Sequence, residues 1–436
     1  MWGYFAGSLL YLKLMEILYP VQNQKSKDSI KYFFKKKNPL LKDEIENIIE
    51  TFDEISKYWL SNNFKLRDMF ISNSMGFIVP WLQKKNTINL LKMNFNDYRL
   101  LNDPTIYNND NIPMFARPQG TALHWLAGNV PVISLISLFQ GLITKNKNII
   151  KVSKTFKNIF PIIFSDLKSN LKIKKNLKKT LQNILDSIFI VYVKHDEISD
   201  LEFLSSNSDL RVIWGGHEAV KKISELKKKI NCKDIIFGPK VSMAFISKKR
   251  IKNDKDLINF SELFVNDVFN FDQLGCNSPH NLIVEKGSKF NLLKISKIIA
   301  KTFEKRKINS KTNPVNKYNL LVKNFTHSLE KNNNLISDKN FEWNIFINNK
   351  IKIEDPIYNR SIFLSSVDSL DKLSRILPKN TQSIGLFVNQ SERNRIVDKL
   401  SLKNVDRFPK IGTMSIFTNP WDGYLPMQNM IRWVSY

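Results

Sequence analysis

Three short runs in the middle of the chain are apolar almost without a break: Ile149-Ile150-Lys151-Val152, Ile188-Phe189-Ile190-Val191-Tyr192-Val193 and Leu210-Arg211-Val212-Ile213-Trp214. A strand with one wet face would alternate apolar and polar residues, so these runs belong to strands covered on both faces. Helix-period patterns accompany them, over Val132 to Thr144, Phe160 to Leu171 and Glu218 to Ile230. Strands separated by helices predict parallel pairing through right-handed crossovers. The expected fold class is α/β.

At 436 residues the chain exceeds one ordinary core, so two or three domains are expected. With 42% hydrophobic and 25% charged residues the balance is globular and not that of a disordered chain. Residues 1–100 read as mainly helical, and a second α/β stretch begins near Ile235. The stretch 306–350, rich in Lys and Asn, reads as loops or insertions. Met1 to Pro20 is apolar but interrupted by Lys13 and Glu16, which predicts an amphipathic helix and no signal peptide. No 18 uncharged apolar residues run together elsewhere, so no membrane span is expected. Two cysteines, Cys232 and Cys276, are too few for a disulfide framework and lack zinc-ligand spacing, which suits a reducing cytoplasm.

The formal net charge is +27. Such a charge attracts polyanions, but it also follows from a solvated lysine-rich surface. The lysines are spread over Lys35 to Lys37, Lys172 to Lys179 and Lys221 to Lys229, with no zinc finger, RNP aromatic pair or GXXG loop beside them. No nucleic-acid partner is expected.

Four segments carry chemistry. In Gln273-Leu274-Gly275-Cys276-Asn277-Ser278-Pro279-His280 a cysteine sits among turn-forming residues just before the apolar run Leu282-Ile283-Val284, placed to offer its sulfur to a ligand. In His124-Trp125-Leu126-Ala127-Gly128-Asn129-Val130-Pro131 a strand runs into a turn and a helix start. Asn129 there is either an oxyanion donor, a role worth about 2.7–4 kcal/mol, or a helix N-cap. Lys151 and Ser153 stand at a strand end, where they can hold a phosphate or ribose or simply face water. Gly215-Gly216 joins a strand to a helix start, which suits either an anion or any tight turn. The Gly-rich dinucleotide fingerprint and the P-loop are absent. His280 offers either a Cys–His pair or a turn contact. His124 is expected to pack beneath the Asn129 loop, and Cys232 to be inert.

In this order and spacing the segments resemble one family. The matches are His124-Trp125-x-Ala127-Gly128-Asn129-Val130-Pro131, Lys145-Asn146, Lys151-x-Ser153, Trp214-Gly215-Gly216, Phe237-Gly238-Pro239-Lys240, Cys276-x-Ser278-Pro279 and Trp421-Asp422-Gly423. From about residue 100 onward the chain resembles the LuxC-type acyl-CoA reductases, the fatty-acid reductase family within the aldehyde dehydrogenase superfamily. The resemblance implies an aldehyde dehydrogenase-like α/β fold: a Rossmann-type cofactor domain with the helical region over residues 1–235, a catalytic domain over 236–400, and a segment 401–436 returning to the cofactor domain or to a subunit contact. It implies Cys276 as the acyl-accepting nucleophile and Asn129, with the Cys276 N–H, as the oxyanion hole. Lys151, Ser153, Gly215 and Gly216 would line a nicotinamide cofactor. Lys154 stands where the family's relatives carry a ribose-binding glutamate, and a cation suits a 2′-phosphate, so NADPH is expected.

Ile236 stands where hydrolytic relatives carry a general base, and an isoleucine cannot take a proton. The second cofactor glutamate is not identifiable near Arg360 to Ser366. The implied substrate is an acyl-CoA or other acyl thioester, with an acyl-transferring protein partner and a homo-oligomeric state among the implications. Two rivals stand beside this reading: a cysteine-dependent acyltransferase or thioesterase without nicotinamide, and a basic nucleic-acid or anionic-surface binding protein.

Overall fold

Ile45, Ile48, Ile49, Phe52, Ile55 and Trp59 recur every three or four residues, and all are buried along one face of the helix Ile45–Leu60. That helix anchors the expected helical first hundred residues, with Arg67–Ser72 and Lys84–Phe95 beside it in sequence. A computed structural model describes residues 15–20, 27–106, 112–308, 314–331 and 333–435. The described residues fall into two compact units, one within Met1–Gly238 and Leu425–Tyr436, the other within Pro239–Tyr424.

The first unit holds strands β1 (Met15–Tyr19), β2 (Thr105–Ile106), β3 (Pro113–Pro118), β4 (Thr121–Trp125), β5 (Lys147–Lys151), β6 (Ile188–Val193), β7 (Leu210–Trp214) and β8 (Lys233–Phe237). Six of them form a sheet in the order β1-β6-β5-β4-β7-β8, parallel except for β1. The three apolar runs are β5, β6 and β7, central in that sheet. Full burial of one such Ile, Leu or Val side chain is worth about 1.5–3 kcal/mol. The amphipathic helix expected over Met1 to Pro20 is corrected where it can be compared. Met15, Ile17 and Tyr19 are buried in alternation with half-buried Glu16 and Leu18, so this segment is an edge strand. Residues 1–14 lie outside the described set.

The second unit holds β9 (Val241–Ile246), β10 (Pro279–Glu285), β11 (Asn334–Ser337), β12 (Asn344–Ile347), β13 (Ser361–Val367) and β14 (Thr381–Phe387). Their order is β11-β12-β13-β10-β9-β14, parallel except for β11. Ala244, Ile246, Leu282 and Val284 enter the core on one face, and Met243, Phe245 and Ile283 enter the core on the other. The loops expected over 306–350 are corrected: the stretch contains the helix Pro314–Leu329 and two strands. Polar Asn and Lys residues there decorate an outer helix and a sheet edge, which composition alone does not distinguish from loops.

The C-terminal division also differs from the expectation. The chain stays in the second unit through Tyr424, bridging to β14 through Ser383↔Arg407 and Leu386↔Lys410. Only the last stretch joins the first unit, where β15 (Ile431–Ser435) pairs with β3 and completes a three-stranded antiparallel sheet.

Inside the first unit, His124 on β4 is wholly buried and bonds Ser137 Oγ through Nδ1 (2.7 Å) and Asn148 Oδ1 through Nε2 (3.0 Å). The Trp214 indole donates to the same hydroxyl (3.3 Å). Gly141 leaves room for this network, since a Cβ there would collide with Asn148 Oδ1 and lie 3.2 Å from His124 Nε2. Gly141→Ala is expected to lower stability by about 2 kcal/mol through overpacking. Denaturant midpoints measure it, and an unmoved midpoint contradicts the stated packing.

Candidate active site

In the first unit the chain leaves β4 toward β5 on one side, then crosses back to β7 on the other. Open α/β sheets bind ligands outside the carboxyl ends of strands at such a reversal. The carboxyl end of β4 carries Gly128 and Asn129, that of β5 carries Lys151 and Ser153, and that of β7 carries Gly215 and Gly216. Five expected site residues therefore share one end of one sheet. Lys154 lies just beyond them and is exposed. The β4 and β5 turns touch: a Cβ on Gly128 would lie 3.1 Å from both Ser153 Cβ and Oγ. The N-cap reading of Asn129 is corrected, because Val130 holds the N-cap position of the helix Pro131–Ile143.

These strand ends suit a bound phosphate or ribose. Ser153 Oγ is buried with no hydrogen-bond partner among the described residues. Such a hydroxyl invites a ligand atom or water. Gly216 is the N-cap of the nine-residue helix His217–Glu225 and brings no capping side chain of its own. Gly215 is the more constrained of the pair. Its N–H bonds Phe237 O (3.2 Å), and a Cβ there would press on Ala219 at 3.1 Å, whereas Gly216 faces open space. Burial lowers the Lys151 pKa. Lys151 also lines a pocket of about 600 Å³ with Trp125, His195, Glu202 and Lys222. The residues present thus fit a nucleotide.

In the second unit Cys276 sits on the turn before β10, half-buried. Gly275 must be glycine for space, since a Cβ would fall 2.5 Å from Asn277 Oδ1. The turn is tied down by Ser242 Oγ donating to Cys276 O (2.7 Å) and by the Asn277 amide donating to Met414 O (3.0 Å). Gln382 Nε2, on β14, donates to Cys276 Sγ at 3.4 Å and also to Asp422 Oδ1. The Arg407 guanidinium lies over the Trp421 ring (4.4 Å) and donates to Ile416 O (2.7 Å).

Two left-handed turns support the cysteine turn. Phe271, Asp272 and Gln273 have φ of 56, 53 and 60°, and Tyr358, Asn359 and Arg360 have 58, 55 and 51°. Side chains with a Cβ resist this region by about 1–2 kcal/mol per residue, so tertiary bonds must hold it. Buried Arg360 pairs with Asp272. Gln273 donates to Ser361 O (2.8 Å) and Pro279 O (3.0 Å), and accepts from Ser361 N (2.9 Å). Asp267 accepts from the Gly412 and Met414 N–H groups (2.6 and 3.0 Å), fixing the loop that holds Asn277.

Electrostatics follow from this enclosure. Burial, helped by the Asp422 charge, pushes the Cys276 thiol up to about 12, while the Gln382 amide and Arg407 pull it down. Burial raises Asp422 to about 6 against the opposing Gln382 bond. Burial lowers Arg407 to about 10. His280 does not pair with the thiol: among the described residues it has no hydrogen bond to Cys276, and its ring stands edge-on to Tyr358 at 5.4 Å. Cys232 is buried, and burial raises its pKa.

Gln382, Asp422 and Arg407 were missed from sequence as partners of the thiol. Trp421-Asp422-Gly423 stood out as a motif without a role. A glutamine in the apolar stretch Ser383-Ile384-Gly385-Leu386-Phe387 and its lead-in was the available hint for Gln382.

A family model described as acyl-CoA reductase (LuxC) matches residues 40–433. The match reaches well into the helical region, where the motifs resembled the family only loosely. A long-chain acyl-protein thioester reductase of Photorhabdus luminescens is 24% identical over 423 residues, covering 90% of this chain and 82% of that one. Its counterpart in Aliivibrio fischeri is 25% identical over 327 residues, covering 74% of this chain and 64% of that one. Among solved structures, an NAD-dependent aldehyde dehydrogenase from Sinorhizobium meliloti superposes with a TM-score of 0.70 at 12% identity, covering 95% of this chain and 87% of that one. An NAD-dependent benzaldehyde dehydrogenase from Corynebacterium glutamicum gives 0.65 at 11% identity, over 97% and 93% of the two chains. At those identities the likeness shows the fold, which is that of the aldehyde dehydrogenases.

Burial lowers His280 from 6.5 to about 3. The folded protein keeps this imidazole neutral, while the unfolded chain takes up its proton below about 6.5, so its contribution is complete above that pH and is lost as pH falls toward 3. The raised Asp267 and Asp422 act in the opposite sense. His280→Gln is therefore expected to flatten the acid slope of stability relative to the parent, by about 2 kcal/mol between pH 6.5 and 5. Parallel slopes in urea titrations would contradict the burial of a neutral His280.

Proposed function

The chain belongs to the acyl-CoA reductase (LuxC) family, and from that footing we propose that it reduces a fatty acyl thioester to the aldehyde with NADPH, through an acyl group carried on Cys276. The observation that supports this reading most is the setting of Cys276: a half-buried thiol on a turn, with an amide donor on its sulfur. The thiolate attacks the acyl carbon. The new C–Sγ bond forms, the bond to the donor's sulfur breaks, and the donor leaves as a thiol once protonated. The cofactor, when bound, supplies the hydride that turns the acyl group into the aldehyde and frees the cysteine. Lys151, Ser153, Gly215 and Gly216 are proposed to hold it, with Lys154 toward the 2′-phosphate, and Asn129 is proposed to donate to the oxyanion.

The acyl group must not be lost to water. Ile236, on β8, stands in sequence where hydrolytic aldehyde dehydrogenases carry a general base, and its apolar, partly exposed side chain has no proton acceptor to offer. The acyl donor is a coenzyme A thioester or a protein-borne one, the latter being what the name of the Photorhabdus relative states. Among the described residues no helix is long and apolar enough to cross a membrane.

Cys276→Ser is expected to abolish a radiolabelled acyl-enzyme and, with it, the oxidation of NADPH by acyl-CoA. Full labelling of the variant overturns the assignment, and thiol release without NADPH oxidation in the parent favours a thioesterase. Lys154→Glu is expected to shift kcat/KM from NADPH toward NADH by about tenfold or more, one close charge reversal being worth at least 1.4 kcal/mol. Unchanged preference would remove Lys154 from the cofactor site.

A further inference from the structure

A buried carboxamide touching the sulfur of a half-buried cysteine calls for a reason. Gln382 lies within β14 with no exposed surface. Its backbone position is fixed, since Gln382 O accepts from Asp406 N (3.1 Å) and Arg407 N (3.0 Å). One Nε2 hydrogen is taken by Asp422 Oδ1, which directs the other toward Cys276 Sγ at 3.4 Å. Asp422 is held for this task by its own turn, where Trp421 and Tyr424 exchange backbone hydrogen bonds of 2.8 and 2.9 Å. Gln382 Oε1 is buried without a hydrogen-bond partner among the described residues. An unmet buried acceptor costs about 1–3 kcal/mol. A leucine would fill the same strand position without that cost, so stability does not explain the glutamine.

We propose that Gln382 is a catalytic residue whose amide N–H holds Cys276 Sγ in its anionic form, and that Asp422 is the positioning residue that aims this amide. The inference rests on Cys276 as the nucleophile. The sulfur needs such help because it is otherwise badly placed to ionise. The groups facing it are Asp422 on the 421–424 turn, Arg407 on the segment bridged to β14, Tyr358 on the left-handed turn and Gln382 itself. His280, on β10, is neutral, and Lys240, paired with Asp406 at 3.0 Å, bears on Asp422. Gln382, Arg407 and the Cys276 backbone N–H favour the thiolate, and of the two side chains only Gln382 makes a hydrogen bond to the sulfur. Asp422 acts in two opposing ways: its acceptor oxygen orients the amide, while its charge repels the anion.

That opposition gives a signed test. In a Cys232→Ser background the sole thiol is Cys276, and its alkylation by iodoacetamide is followed against pH. Gln382→Leu is expected to move the profile to higher pH and to slow alkylation at pH 8 by about tenfold, as loss of a hydrogen bond to a charged acceptor entails. Asp422→Asn keeps an acceptor for the amide and removes the charge, so its profile is expected to move to lower pH. A role confined to holding the fold predicts no opposed shifts. Profiles that coincide with the parent, or that move together, overturn the proposal, and either variant decides it if the other does not fold. Acyl-enzyme labelling is scored in the same proteins. Labelling with unshifted profiles defeats this inference alone, and shifted profiles without labelling in the parent defeat the acyl-cysteine reading alone.

Discussion

Covering both faces of a parallel sheet leaves only the strand ends to meet a ligand, and this constraint governs what the first unit can do. Helices and apolar strands consume the faces, so polar chemistry collects where β4, β5 and β7 stop. Asn129, Ser153 and the Gly215-Gly216 turn are far apart in sequence yet share one edge because those strands are neighbours. The Ser153 hydroxyl, without a hydrogen-bond partner among the described residues, and the glycine-capped helix suit a phosphate or ribose although the chain lacks the Gly-rich dinucleotide fingerprint.

The second unit solves a different problem. Its cysteine turn leaves Cys276 half-buried yet held still. Its turn is fixed from several sides, by Ser242, by Asn277 through the Asp267-bound loop, and by two left-handed turns joined through Arg360 and Asp272. The enclosure that fixes the turn also disfavours the thiolate, which places weight on the few groups that favour it.

Much of this was legible in the chain. The continuous apolar runs marked β6 and β7 to the residue, because burial on both faces leaves no other composition. The cysteine turn was legible from Gly275, Asn277, Ser278 and Pro279. Where reading failed, local pattern had competed with distant pairing. Met15 to Tyr19 was too short to separate a strand from one helical turn, and pairing with β6 decided it. The Lys- and Asn-rich stretch around Pro314–Leu329 lacks the apolar density that marks a buried helix, because most of that helix faces water.

The sequence by itself determined the fold class, the family and the turn that carries Cys276, since each depends on residue type and order along the chain. Only the tertiary structure decided what surrounds the sulfur. Gln382, Arg407 and Asp422 lie more than a hundred residues from Cys276, and no periodicity or motif encodes which side chain a folded strand will aim at a distant atom. The same holds for His280, four residues from the thiol in sequence and turned instead toward Tyr358. Proximity along the chain is covalent, but proximity in a site is set by which strands pair and which loops are tied together.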